Sequence, residues 1–282
     1  MLTHTFCHVP GLGVKIEAKL WREGVHTWSD ALGAERLPMP VEKGKRLCAR
    51  LEESERHRED GDAWYFEQRL SATDSWRLYS EFRHSAAYVD IETAGGYRGQ
   101  QHITTIALWD GSEARHYVHG RNLEQFLDDI LQYKMLVTFS GRCFDAPVLE
   151  KHFGVKFSMA HLDLRFALKA AGVTGGLKKV EKKFGLDRGA LDGVDGYWAV
   201  LLWQEFAKTK NEGALETLLA YNMDDVLSLE VLAAHAHNLL SAQTPFGGAL
   251  EMPVPQLGVN PFTPDPAVLS TIAHRIARRT GG

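Results

Sequence analysis

The chain of 282 residues is 44% hydrophobic and 24% charged, with a formal net charge of −4. This composition is typical of a globular protein with a sizeable core, and the net charge alone neither indicates nor excludes a polyanionic partner. The three cysteines, Cys7, Cys48 and Cys143, form no CxxC pair, which argues against a zinc knuckle, a disulfide framework or a disulfide-linked partner. The sequence has no membrane-span pattern and no signal-peptide pattern, so we expect a cytoplasmic protein without a membrane partner.

Helical segments are predicted for residues 1–83. Residues 1–33 predict two short helices around a glycine turn, and residues 41–60 predict a charged helix. Residues 62–83 predict a further helical stretch, with Thr73 or Asp74 as a possible cap before residues 75–83. Gly11 and Gly13 bracket Leu12, and a helix is expected to begin near Val14, so residues 8–25 are similar to a helix-hairpin-helix. In nucleic-acid-binding versions of that motif the glycine turn holds a phosphate, and Lys15 lies close by. A purely structural helical hairpin is the alternative.

Strands and helices alternate in residues 84–240. We predict strands over 86–93, 102–110, 114–119, 135–140 and 159–164, with a hairpin turn at Asp110-Gly111 and helices over 122–132 and 145–153. The chain is then mostly helical to about Asn238. This order predicts an α/β sandwich with a mixed sheet. Residues 241–282 form a Pro/Gly-rich tail with a short helix near 267–279, so the predicted regions are 1–83, 84–240 and 241–282.

Acidic residues follow the predicted strands and helices in three places. Asp90 and Glu92 end an apolar strand on one face, where repulsion and desolvation call for a compensating contact. Asp145 opens a helix just past a later strand, either as its N-cap or as an acid close to the first pair. Tyr221 and Asp225 stand four residues apart, on one face of a helix. Taken singly, these are a solvated strand end, a cap and a surface pair.

The three elements in this order resemble the DEDD exonuclease superfamily, whose fold is ribonuclease-H-like, over about residues 84–240. The Tyr form, DEDDy, is indicated, because the His form would need a His where Ala220 stands. The pattern looks most like the bacterial YprB-like branch, which is related to the proofreading domains of family B polymerases. The resemblance implies a metal-dependent 3′–5′ exonuclease that acts on 3′ ends of DNA or RNA, single-stranded ones above all.

The resemblance also implies a role for each acid around two divalent ions, Mg²⁺ or Mn²⁺, which prefer carboxylate oxygens. Asp90 would bridge both ions. Glu92 and Asp225 would hold the ion on the nucleophile side. Asp145 would hold the second ion, partly through water, and Tyr221 would orient the attacking water.

Further residues are candidates for substrate contacts. Relatives often carry Asn-Gly-x-x-Phe-Asp in the second motif, whereas Ser140 stands first here, which affects rate or substrate preference. Lys178 and Lys182, in the lysine-rich segment 175–185, are predicted to lie along a phosphate backbone or on a solvated face. Tyr97 is predicted to stack on a terminal base. For Asp163 a cap or strand-end role is favoured over membership of the acidic site.

Two other functions remain open at this point. One is a nucleic-acid-binding module with the same fold and little or no catalysis. The other is a structural subunit that is recruited through residues 1–84 or through the tail.

Overall fold

A five-stranded mixed sheet lies at the centre of the fold. The computed structural model describes residues 1–95 and 102–280. The strands are β1 Ala86–Thr93, β2 Ile103–Trp109, β3 Ala114–Val118, β4 Met135–Thr138 and β5 Ala160–Asp163, in the order β3-β2-β1-β4-β5. Strand β1 is antiparallel to β2 and parallel to β4, and β4 is parallel to β5. The helix-flanked mixed sheet confirms the predicted α/β fold class.

Twelve α-helices surround this sheet in the described part of the chain. They are α1 Val14–Arg22, α2 Trp28–Gly33, α3 Val41–Glu59, α4 Ala63–Glu67, α5 Tyr79–Phe82, α6 Gln125–Ile130, α7 Asp145–Phe153, α8 Leu164–Ala170, α9 Leu177–Lys183, α10 Gly196–Thr209, α11 Glu212–Ser241 and α12 Pro266–Thr280. The longest, α11, begins where the Asn211 side chain accepts a hydrogen bond from the Gly213 N–H. None of the helices described is long and apolar enough to cross a membrane.

The two faces of β1 have different partners. Ala87, Val89 and Ile91 belong to an apolar cluster that includes residues of α6 and α7. Ala86 and Tyr88 belong to another cluster, which includes residues of α11. Because successive side chains alternate across a strand, Asp90 and Glu92 lie on the α11 face. The apolar pattern of β1 therefore turns the two acids toward the helix that carries Tyr221 and Asp225.

Two details of the N-terminal helical prediction are wrong. The stretch 62–83 is helical only in part: α4 ends at Glu67, and a turn in which Asp74 accepts hydrogen bonds from Ser71 and Arg77 precedes a 3₁₀ segment, Ser75–Leu78. Asp74, one of the two possible caps predicted from the sequence, is the N-cap residue of that segment. Residues 1–13 contain only a 3₁₀ turn, Leu2–His4, ahead of α1.

The Glu17 carboxylate gives a physical reason for the short turn ahead of α1. It is buried and accepts hydrogen bonds from the Thr5 hydroxyl at 2.6 Å and the Phe6 N–H at 2.7 Å. These groups are thereby committed to tertiary contacts instead of a helix. The predicted helix start at Val14 is confirmed.

Candidate active site

A cavity of about 620 Å³ lies where the ends of β1 and β4 meet α9 and α11. All five residues predicted to be catalytic line it. The lining consists of Asp90, Ile91, Glu92, Phe139, Ser140, Phe144, Asp145, Gly176, Leu177, Lys178, Lys179, Tyr221 and Asp225. The parallel pairing of β1 and β4 brings the residues that follow each strand to one edge of the sheet, which is the arrangement expected from the sequence.

Three carboxylates lie close together in this cavity. Asp90, Glu92 and Asp225 each offer one oxygen, and these oxygens lie within 4.8 Å of one another. Burial raises the pKa of Asp90 well above its usual range, and the Asp145 carboxylate raises it further. Burial, and then the Asp90 carboxylate, likewise raises the pKa of Glu92. The three carboxylates together are therefore expected to bind either protons or a cation.

Asp145 stands beside this trio rather than within it. It is the first residue of α7, whose N-cap is Phe144, so its carboxylate is not the helix cap. Instead it accepts a hydrogen bond from the Ile91 N–H on β1 at 3.3 Å. Burial raises the pKa of Asp145 to about 7. The acid is thus fixed against β1, next to Asp90.

Asn222, which was not among the predicted site residues, holds Asp90 in place. Its Nδ2 donates to Asp90 Oδ2 at 2.7 Å, while its Oδ1 accepts from the Thr105 hydroxyl at 3.1 Å. The side chain is fully buried on α11. Its position could have indicated a role, because Asn222 is a polar residue in an otherwise apolar stretch of helix, three positions before Asp225.

Tyr221 is bound to Lys178. The Lys178 ammonium donates to the Tyr221 hydroxyl at 2.6 Å, contacts the carbonyl of Val194, and lies 4.0 Å from the centre of the Tyr221 ring. Burial lowers the pKa of Lys178 to about 8, and the Arg188 guanidinium lowers it further. Lys178 is therefore part of the cavity wall, not only of a solvated lysine face.

Arg188, which was also not among the predicted site residues, binds Asp225. Its guanidinium donates to Asp225 Oδ1 through Nη2. The same guanidinium binds both oxygens of Glu181, at 2.7 and 2.9 Å. All three side chains are at least nine-tenths buried. A lone Arg in a loop carries no sequence signal for this contact.

The turn after β4 carries Ser140 in a strained conformation. Ser140 has φ +69°, in the left-handed region where Asn is enriched. Asn therefore suits this backbone conformation better than Ser does. The Asp163 carboxylate holds the turn by accepting from the N–H groups of Ser140 and Arg142, and it also caps α8. Gly141 is required because a Cβ there would overlap the Thr138 side chain.

The other residues predicted to bind nucleic acid occupy different places. Lys182 is exposed, does not line the cavity, and pairs with Asp192 at 2.7 Å. Lys179, which the prediction omitted, does line it. The turn residues Gly11 and Gly13, and Lys15 in the first turn of α1, are outside the cavity lining. Tyr97 lies outside the described residues.

The donor set fits a hard divalent cation. Carboxylate oxygens are the ligands that Mg²⁺ and Mn²⁺ prefer, and three of them converge here with a fourth alongside. Burial and the neighbouring carboxylates raise the pKa values of Asp90 and Glu92 even though the Lys178 and Arg188 cations lower them, so negative charge is still in excess at this site. Asp90, Glu92 and Asp225 would hold such an ion.

Comparisons with known proteins bear on the same part of the chain. A family model described as the RNase H superfamily matches residues 87–237. No curated protein matches. Among solved structures, the chain is similar to the family B DNA polymerase from the hyperthermophilic archaeon Pyrobaculum calidifontis, with 17% identity and a TM-score of 0.41, over 60% of this chain and 27% of the polymerase. The chain thus spans about a quarter of that polymerase, and so distant a similarity carries no function over.

Proposed function

Because the chain belongs to the RNase H superfamily, we propose that it is a nuclease, and specifically a metal-dependent 3′–5′ exonuclease of the DEDDy type, close to the YprB-like branch. The observation that carries the proposal is the convergence of Asp90, Glu92 and Asp225 within 4.8 Å, in a cavity that Asp145 and Tyr221 also line. We propose residues 84–240 as the nuclease domain. The N-terminal helices and the tail would flank it.

The proposed chemistry is hydrolysis of a phosphodiester bond. Two divalent ions held by these acids, when bound, would lower the pKa of the attacking water and stabilise charge on the phosphate. Asn222 keeps the Asp90 carboxylate oriented, and Ile91 does the same for Asp145 through its N–H. The fixed side chains lower the reorganisation needed when the substrate arrives.

Lys178 and Tyr221 supply the polar wall opposite β1 in this proposal. The Tyr221 hydroxyl accepts from Lys178, so its own proton is free to be donated toward the attacking water and orient it. Lys178 brings a positive charge to a cavity that four carboxylates also line, where a phosphate would lie. Lys179 adds a second cation at the same edge, and Ser140 a hydroxyl for the substrate.

An end-labelling assay tests the proposed activity. With Mg²⁺ or Mn²⁺, single-stranded DNA or RNA labelled at the 5′ end should shorten stepwise from its 3′ end, and EDTA should stop the reaction. A substrate labelled at the 3′ end should release the label in the first cut, as a mononucleotide. Release of the 5′ label first, or internal cleavage, would contradict the polarity.

Tyr221→Phe and Lys178→Met should each lower kcat about 10- to 100-fold, because each removes the hydrogen bond by which Lys178 orients the Tyr221 hydroxyl. Groups that act as a unit are non-additive, so the double variant should be no slower than the slower single variant. Steady-state kinetics of the three variants check this. Lys183→Met, a change in the same helix at an exposed lysine, is the control and should keep wild-type rates. Additive losses would show that the two residues act separately.

The second candidate is a nucleic-acid-binding module without hydrolysis. The observation that favours it is the ion pair between Arg188 and Asp225, which places a protein cation on one of the carboxylates. This module would retain labelled oligonucleotides in a filter-binding assay, yet leave them intact in Mn²⁺. The two assays on one preparation separate the candidates.

A further inference from the structure

Arg188 is buried at the edge of the acidic cavity, where it connects two helices. Its Nε and Nη2 bind both oxygens of Glu181 on α9, and Nη2 also binds Asp225 on α11. The exposed fractions of the Arg188 and Glu181 side chains are 6% and 1%. A planar guanidinium can bridge two carboxylates in this way, whereas an ammonium is a point charge.

A second link runs parallel to this one. Lys178, three residues before Glu181 and one turn away on α9, binds Tyr221, which stands one turn before Asp225 on α11. Tyr221 and Asp225, one turn apart on α11, are therefore each held by a cation, Tyr221 by Lys178 on α9 and Asp225 by Arg188 in the loop after α9. Loss of one link should disturb the other.

Burial of the Arg188 guanidinium is expected to lower the free energy of unfolding. The Nη1 of Arg188 is buried and has no hydrogen-bond partner among the described residues. Burying an arginine with an unsatisfied N–H lowers stability, and hydrophobic replacements of buried ion pairs are often neutral or stabilising. Stability alone is thus a weak reason for an arginine here, while its contact with Asp225 gives a specific one.

We propose that Arg188 is a positioning residue of the nuclease site, which fixes Asp225 through one carboxylate oxygen so that the other is presented to the ion. This rests on the proposed function. Glu181 anchors the guanidinium, so Arg188 stays in place when an ion binds and is not displaced by it. Glu181 on α9 and Arg188 in the loop after it thereby stabilise the position of Asp225, although neither residue lines the cavity.

Two changes separate positioning from charge. Arg188→Lys keeps the positive charge but cannot bridge Glu181 and Asp225. The double variant Glu181→Gln/Arg188→Gln leaves the net charge unchanged and removes the cation next to Asp225. Electrostatics alone predicts unchanged Mn²⁺ affinity for the first variant, and unchanged or tighter binding for the second. Positioning predicts weaker binding for both, by about 10-fold, the usual effect of losing the partner of a metal ligand.

The experiment is a Mn²⁺ titration of each folded variant without nucleic acid, followed by isothermal calorimetry, with circular dichroism as the check on folding. Arg121→Lys is the control, because Arg121 also pairs with a carboxylate of α11, Glu212, but at the exposed surface. Both variants should bind Mn²⁺ about 10-fold more weakly than the control. Wild-type affinity or tighter binding in either folded variant would overturn the positioning role. If the wild type binds no Mn²⁺, the proposed function itself fails.

Discussion

Asp90→Asn is expected to remove metal-dependent hydrolysis, lowering the rate by at least about 1,000-fold, while the fold stays intact. Asp90 lies at the centre of the cluster: its carboxylate is within reach of those of Glu92 and Asp225, and the charge of Asp145 acts on it. The amide would lose the negative charge that an ion needs but keep an oxygen to accept from Asn222. Hydrolysis of an end-labelled oligonucleotide in Mn²⁺ measures the loss.

Asp128→Asn is the matched control for this change. Asp128 is an exposed residue of α6, and its side chain is not part of the cavity lining. That variant should retain wild-type activity. Undiminished hydrolysis by a clean preparation of the Asp90→Asn protein would contradict the assignment of the acids to catalysis.

The second large effect is a change in the melting temperature of the protein with pH and with Mg²⁺. Without metal, Asp145 has a pKa of about 7 in the folded protein, against an ordinary value of 3.8. A carboxyl with a raised pKa contributes stability below its unfolded pKa, and that contribution is lost as the pH rises through the folded value. The melting temperature of the metal-free protein should therefore fall between about pH 4 and pH 7, with at most about 4 kcal/mol at stake from Asp145.

Mg²⁺ should reverse this loss, because an ion binds the deprotonated carboxylates of the folded state. At about 100 times its dissociation constant, a ligand adds about 2.7 kcal/mol. The increase in melting temperature should be larger near pH 8 than near pH 5, where protons compete. The metal-free Asp145→Asn protein should be more stable than the wild type at the higher pH and lose part of the pH dependence. A melting temperature that changes with neither pH nor Mg²⁺ would contradict the metal site and would favour the alternative, in which Asp90 and Glu92 are solvated residues at the end of a strand.

The fold could be predicted from sequence because its signals are local. The apolar run before Asp90, the turn at Asp110-Gly111 and the helix beginning at Asp145 each follow from residue pattern, and the structure has all three. The predicted order of strands and helices then limits the sheet to few arrangements. In the stretch 62–83 the sequence predicted a possible cap at Thr73 or Asp74, and the structure has the break at Asp74; the turn before it, in which Asp74 accepts hydrogen bonds from Ser71 and Arg77, does not follow from helical propensity.

The candidate site was predictable only in part. Asp90, Glu92, Asp145, Tyr221 and Asp225 form a recognisable order along the chain, and the structure gathers them in one cavity. The residues that hold these side chains in place follow no recognisable order along the chain. Arg188 reaches Asp225 from a loop 37 positions away, and Asn222 reaches Asp90 across 132 positions. Such contacts depend on the packing of α9 and α11, which local pattern does not specify.

The most direct test is a Mn²⁺ titration of the wild type, Asp90→Asn and Asp128→Asn proteins without nucleic acid, followed by the electron paramagnetic resonance signal of free Mn²⁺. The wild type and Asp128→Asn should take up Mn²⁺ with the same affinity, and Asp90→Asn should lose that uptake. Equal uptake by all three proteins, or none by the wild type, would contradict a divalent-metal site at Asp90, Glu92 and Asp225.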